Sequence, residues 1–163
     1  MQVFMKEEKT VFYPYSSWLK QRYGEKVYKL PVNLPVSCPN RCDGHGGCTF
    51  CSEKGTGFES VWQPASVTEQ MQHARDVVAK RYKARKFIAY FQNYTNTFMA
   101  MELFKAYLEE AAAFPDVVEI SVSTRPDCIR TDYLACLAEL QERTHVGINI
   151  ELGLHTANYH TLD

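Results

Sequence analysis

Four short β-prone segments, separated by helix-prone ones, leave few folds open to this chain. VYKLPVNL (27–34), KFIAYFQ (86–92), VVEISVST (117–124) and VGINIELGL (146–154) are rich in β-branched and aromatic residues. SVTEQMQHARDVVAKRY (66–82) opens with Ser66 and, three residues on, Glu69, a capping-box signature; Val67, Met71, Ala74 and Val78 then recur at helical spacing. AMELFKAYLEEAAAF (100–114) is dominated by strong helix formers, and TDYLACLAELQER (131–143) forms a third helix. This alternation is that of right-handed βαβ units on a parallel sheet, with helices on one face or both. Tyr90 and Phe91 are expected in the core, and Cys136 as a small core hydrophobe beside Leu134, Leu137 and Leu140. Residues 1–26 make an aromatic-rich lead-in whose Tyr13, Tyr15, Trp18 and Tyr23 are expected to pack on the sheet or its lower rim.

In parallel α/β folds functional side chains gather at the carboxyl ends of the strands. Here those ends carry a cysteine loop (37–55), QNYTNT (92–97), STRPDC (123–128) and ELGLHT (151–156), four polar segments expected to converge on one mouth. Four parallel strands neither close a barrel nor cover their own edges, so the chain reads as a fragment of a longer enzyme.

The loop SCPNRCDGHGGCTFCSEKG places Cys38, Cys42, Cys48 and Cys51 within fourteen positions. The N-terminal MQVFMKEEKT lacks an apolar core, and no run of about eighteen apolar residues occurs. A cytoplasmic setting without membrane contact is therefore expected, in which clustered cysteines bind metal or catalyse rather than pair as disulfides. The formal charge of −1 supplies no global attraction for nucleic acid. Cys48 and Cys51 have the two-residue spacing that lets two thiolates reach one metal centre. Four thiolates would close a structural zinc site, as in a zinc-stabilised RNA-binding module without catalysis. Three would hold a [4Fe–4S] cluster with one iron open to substrate. The position of the loop between a strand and its helix, at the mouth, favours the cluster. Gly44, Gly46 and Gly47 permit the turns needed to wrap it.

SCPNR followed by GGCTFC, then AYFQNYTNT, STRPDC and ELGLHT, resembles the radical S-adenosylmethionine (SAM) proteins of the YhcC/YtqA-like type, relatives of the catalytic subunit of Elongator. The resemblance extends to the lead-in SSWLKQRYGEKVYKL. It implies that residues 27–163 are the N-terminal part of a partial (β/α) barrel. It also implies that Cys38, Cys48 and Cys51 hold the cluster, with Cys42 an addition where an aspartate usually follows the arginine. The implied activity is one-electron cleavage of SAM to a 5′-deoxyadenosyl radical. An electron donor such as flavodoxin or ferredoxin and a tRNA substrate modified at its wobble uridine go with it.

At the second strand's end, Gln92 and Asn96 have carbonyls that could accept from the SAM ammonium, while the hydroxyls of Thr95 and Thr97 could serve the site or cap the next helix. Arg125 and Asp127 are expected to touch SAM or substrate, or to pair with each other. Glu151, inside an apolar strand, requires a ribose hydroxyl or a basic partner. His45 is expected at a solvent-facing turn and His155 in hydrogen bonding rather than metal binding. Cys128 lacks metal spacing, and the basic run AKRYKARK (79–86) is expected to be solvated.

Overall fold

The computed structural model describes residues 11–42, 46–48, 51, 65–153, 158 and 160. Helix α1 (Tyr15–Tyr23) leads into strand β1 (Val27–Val32), then the one-turn α2 (Pro39–Cys42) and α3 (Val67–Tyr82). Strand β2 (Lys86–Phe91), α4 (Met101–Ala112), β3 (Val117–Thr124), a 3₁₀ turn (Pro126–Cys128), α5 (Thr131–Thr144) and β4 (Gly147–Leu152) complete it. The four strands form one sheet in the order β1-β2-β3-β4, every pair parallel. It is an α/β fold whose sheet is open among the described residues.

Strand alternation divides the sheet into two unlike faces. Leu30, Val32, Phe87, Ala89, Phe91, Ile120 and Val122 point to one side and are buried with Met71 and Val78 of α3, Phe104 and Leu108 of α4, and Leu137 and Leu140 of α5. The expected helix α3 has its capping box: Ser66 Oγ accepts from the Glu69 amide at 3.2 Å, and Glu69 Oε2 accepts from the Ser66 amide at 2.8 Å. On α5, Leu134 is 43% exposed, against expectation, because Tyr133 takes the inward place one turn before Leu137. Cys136 does pack, partly buried, against this core.

The opposite face carries Lys29, Tyr90, Ser121, Ser123, Asn149 and Glu151. Tyr90 is thus not a core residue: its neighbours Ala89 and Phe91 face the helices, which turns its phenol to the polar side. Helix α1 covers the amino-terminal end of this face. Leu19 is buried there with Val27 and Ile88, and Trp18 and Tyr23 pack around them, as expected of the lead-in; Tyr13 stays 61% exposed. Gly147 makes the approach possible, since a Cβ there would lie 3.0 Å from Tyr23 Oη and 3.3 Å from the Val118 carbonyl. Sequence periodicity gives α1 no amphipathic stripe. Its signal is punctuation: Pro14 stands before the first turn, and Gly24, at φ 76°, ends the helix with its N–H on the Lys20 carbonyl.

Candidate functional site

The expected convergence of strand-end segments is present through hydrogen bonds among the described residues. The Thr95 amide donates to Ser37 O at 3.3 Å, joining the second strand's end to the cysteine loop. The Asn96 amide donates to Ser123 O at 3.2 Å, and Gly153 N to Thr124 O at 3.1 Å. At the base of the loop, the buried amide of Gln70 donates to Asn33 O at 3.0 Å and accepts from Asn33 N at 2.8 Å, pinning α3 beneath the end of β1.

Asn96 and Thr97 are both buried. Asn96 Nδ2 donates to Phe91 O at 2.9 Å and to Ser123 O at 2.8 Å, and its Oδ1 is buried with no hydrogen-bond partner. A buried acceptor in that state is costly unless a donor is brought to it. Thr97 does not cap α4, whose N-cap is Ala100; its hydroxyl lies 2.6 Å from Thr124 Oγ1 and donates to Cys128 O at 2.8 Å. Gln92 is half-buried at the same rim.

Arg125 and Asp127 pair with each other. Nε lies 2.9 Å from Oδ1 and the second nitrogen 2.7 Å from Oδ2, a two-point fork. That fork holds the Asp127 carboxyl below its ordinary range against the opposing effect of burial. The pairing with Asp127 also keeps Arg125 more firmly protonated, and the nearby Cys38 sulfur adds to that effect. Its remaining terminal nitrogen donates to Asn40 Oδ1.

Through Asn40 this network reaches a second cysteine, because Asn40 Nδ2 donates to Cys48 Sγ at 3.0 Å. Cys51 closes a tight turn on Cys48, its amide donating to Cys48 O at 3.0 Å. Burial first, then the neighbouring Cys48, push the Cys51 thiol up; Cys38 adds to the shift and Arg41 opposes it. Cys42 and Cys51 are both exposed, and the Cys42 thiol lies 3.8 Å from Ser37 Oγ. Arg41 lies over the Tyr94 ring at 5.1 Å, and Gly47, at φ 93°, leaves room for it: a Cβ there would come 3.1 Å from Arg41 Cγ. Among the described residues, no three histidines, cysteines or carboxylates converge closely enough to hold a single metal ion.

Glu151, half-buried, has the basic partner expected of it. Lys29 Nζ lies 2.8 Å from Oε1, while Tyr90 Oη at 2.8 Å and Ser123 Oγ at 3.3 Å serve Oε2. Burial raises the carboxyl, but the hydrogen bonds from Lys29 and Tyr90 outweigh it and leave the group below its ordinary value.

The matches to other proteins cover most of the chain. The chain is 40% identical over 146 residues to the uncharacterised protein YtqA of Bacillus subtilis, covering 88% of this chain and 44% of YtqA. With the protein YhcC of Escherichia coli the identity is 38% over 146 residues, 88% of this chain and 46% of YhcC. An uncharacterised protein of Methanocaldococcus jannaschii is 30% identical over 154 residues, 94% of this chain and 47% of its own. This chain is a homologue of YtqA and YhcC. The likeness supports membership of the YtqA/YhcC family, and the chain spans about half the length of the curated relatives it matches. No family model and no solved structure matches it.

In this YtqA/YhcC homologue, Asn40, Lys29, Tyr90 and Gln70 join the candidate site beyond the residues that the sequence predicts for it. Asn40 was visible inside SCPNR, one residue from an expected ligand, and Lys29 as a lone charge in a strand. His45 and His155 lie outside the described residues. No described helix is long and apolar enough to cross a membrane.

Proposed function

We propose that this chain is the cluster-holding part of a radical SAM enzyme, with Cys38, Cys48 and Cys51 as the thiolate ligands of a [4Fe–4S] cluster. One observation carries the reading. Hydrogen bonds run from Arg125 through Asn40 to Cys48, Cys51 lies a turn away, and Cys38 is within electrostatic reach of both Arg125 and Cys51, while the Cys42 thiol meets Ser37. A cluster takes its thiolates on separate irons, so they need not converge on one point as the ligands of a lone zinc ion must. The donor set therefore fits a cluster better than zinc.

Bound there, a reduced cluster supplies the electron that cleaves the sulfonium of SAM and so starts hydrogen abstraction from a substrate. The chain's own residues would bind and orient. Asn96 Oδ1, buried and unpartnered, is an acceptor suited to an ammonium, with Gln92 beside it on the rim. Thr97 locks the tip of β3 to the 3₁₀ turn, which holds Arg125 and Asp127 at the mouth. The ion pair between Lys29 and Glu151 joins the two outer strands, which supports a sheet curled as an arc of a (β/α) barrel with its polar face inward. An external one-electron donor such as flavodoxin or ferredoxin, and tRNA as substrate, complete the proposal through the resemblance to Elongator's relatives.

The test is anaerobic purification and reconstitution with iron and sulfide, followed by iron counting and EPR with and without SAM. The expected result is a reducible cluster whose spectrum shifts on adding SAM, retained in Cys42→Ala and lost in Cys38→Ala, Cys48→Ala and Cys51→Ala. A colourless protein holding zinc through all four cysteines would overturn the proposal in favour of a structural module.

A further inference from the structure

We infer that Asn40, held by Arg125, is a positioning residue that donates a hydrogen bond to the Cys48 sulfur and raises the reduction potential of the bound cluster. The inference rests on the cluster reading above. Its geometry starts from Arg125, which has only donors and so must face an acceptor. The Asn40 atom it meets is therefore Oδ1, and Nδ2 is left pointing at Cys48 Sγ, 3.0 Å away. Flipping the amide would set donor against donor.

Arg125 is itself immobilised by its two-point fork to Asp127, so the orientation of the Asn40 amide is set from outside the cysteine loop. Asp127 and Arg125 thus reach Cys48 through Asn40, at the end of β3 rather than beside the C-x-x-C turn. A hydrogen bond to a ligating sulfur draws off negative charge and favours the more negative, reduced form of a cluster; such bonds are among the determinants of its potential.

The experiment is a redox titration, followed by EPR and visible absorption, of the anaerobically reconstituted full chain as wild type, Asn40→Leu and Asn40→Asp. Asn40→Leu removes the donor without adding charge. Asn40→Asp keeps an acceptor for Arg125 and the side-chain shape but has no donor for Cys48. At an ambient potential near the wild-type midpoint, the ratio of reduced to oxidised cluster is expected to fall roughly three- to tenfold in both variants, the scale of the net contribution of one hydrogen bond. If Asn40→Leu does not load iron, Asn40→Ala takes its place with the same expected fall.

An unchanged ratio in the neutral variant overturns the inference even if Asn40→Asp falls, because added charge alone would then account for the aspartate. In that case the cluster reading stands. A wild-type chain that takes up no iron overturns both together.

Discussion

Lys29 on β1 and Glu151 on β4 meet with Nζ 2.8 Å from Oε1, although β2 and β3 lie between their strands. Neighbouring strands are about 4.8 Å apart and side chains stand roughly perpendicular to a sheet. Two such residues three strand intervals apart meet by reaching across the polar face, where Lys29 Nζ lies 3.8 Å from the Tyr90 ring centroid and Tyr90 and Ser123, on the strands between, complete the same carboxylate's hydrogen bonds.

Breaking that pair is expected to cost little by itself. Its side chains are 32% and 34% exposed, so solvent screening leaves a coupling of about 1 kcal/mol or less. The double-mutant cycle of Lys29→Met and Glu151→Gln, followed by urea unfolding, measures it directly. Because the folded carboxyl lies below its ordinary value of 4.5, its contribution is present above that pH and lost as pH falls through the lower folded value. The stability gap between wild type and Glu151→Gln should accordingly be full above pH 4.5 and shrink as pH falls below it.

At the opposite end of the sheet the pH dependence is alkaline. Tyr23 Oη donates to Glu119 Oε2 at 2.7 Å, and Glu119 is only 3% exposed. Burial, then this hydrogen bond, push the Tyr23 phenol from 10.0 up to about 12. A raised acid holds its stabilisation fully below the unfolded value, so it should be intact up to pH 10 and lost as pH rises toward 12. Tyr23→Phe should cost about 1 kcal/mol at neutral pH and flatten that alkaline limb of the stability curve. An equally steep limb in Tyr23→Phe would assign it elsewhere, with Tyr15, also raised to about 12, the next group to replace.

Asn96 is the most demanding position at the mouth. Its side-chain amide donates to the Phe91 and Ser123 carbonyls at once; Asn96→Ala removes both bonds and leaves Ser123 O with the backbone N–H of residue 96 alone, so it should cost about 2 kcal/mol. Asn96→Asp should cost more still, because a carboxylate would face those same carbonyls. Equilibrium unfolding orders the two; a milder aspartate would mean that water reaches this pocket.

The elements of this protein were legible one segment at a time. β-branched and aromatic composition marked four strands, helical spacing or helix-forming composition marked three long helices, and the capping box of Ser66 and Glu69 marked the start of α3, because these signals depend on residues a few positions apart. The polar strand ends were legible too, since parallel topology alone sends them to one side of the sheet. Helix α1 escaped because its aromatic sequence lacks an apolar stripe and its punctuation by Pro14 and Gly24 is weaker than periodicity.

The order of strands and helices, and the segments that share the mouth, thus follow from local sequence. Which side chains meet there follows from packing. Lys29 finds Glu151 across 122 positions, Arg125 finds Asn40 across 85, and Cys42 turns to Ser37 although it is spaced like a ligand. The physical reason is range: backbone propensity and hydrophobic period act over a turn or a strand. A hydrogen bond between distant residues exists only after packing has brought its two ends within about 3 Å.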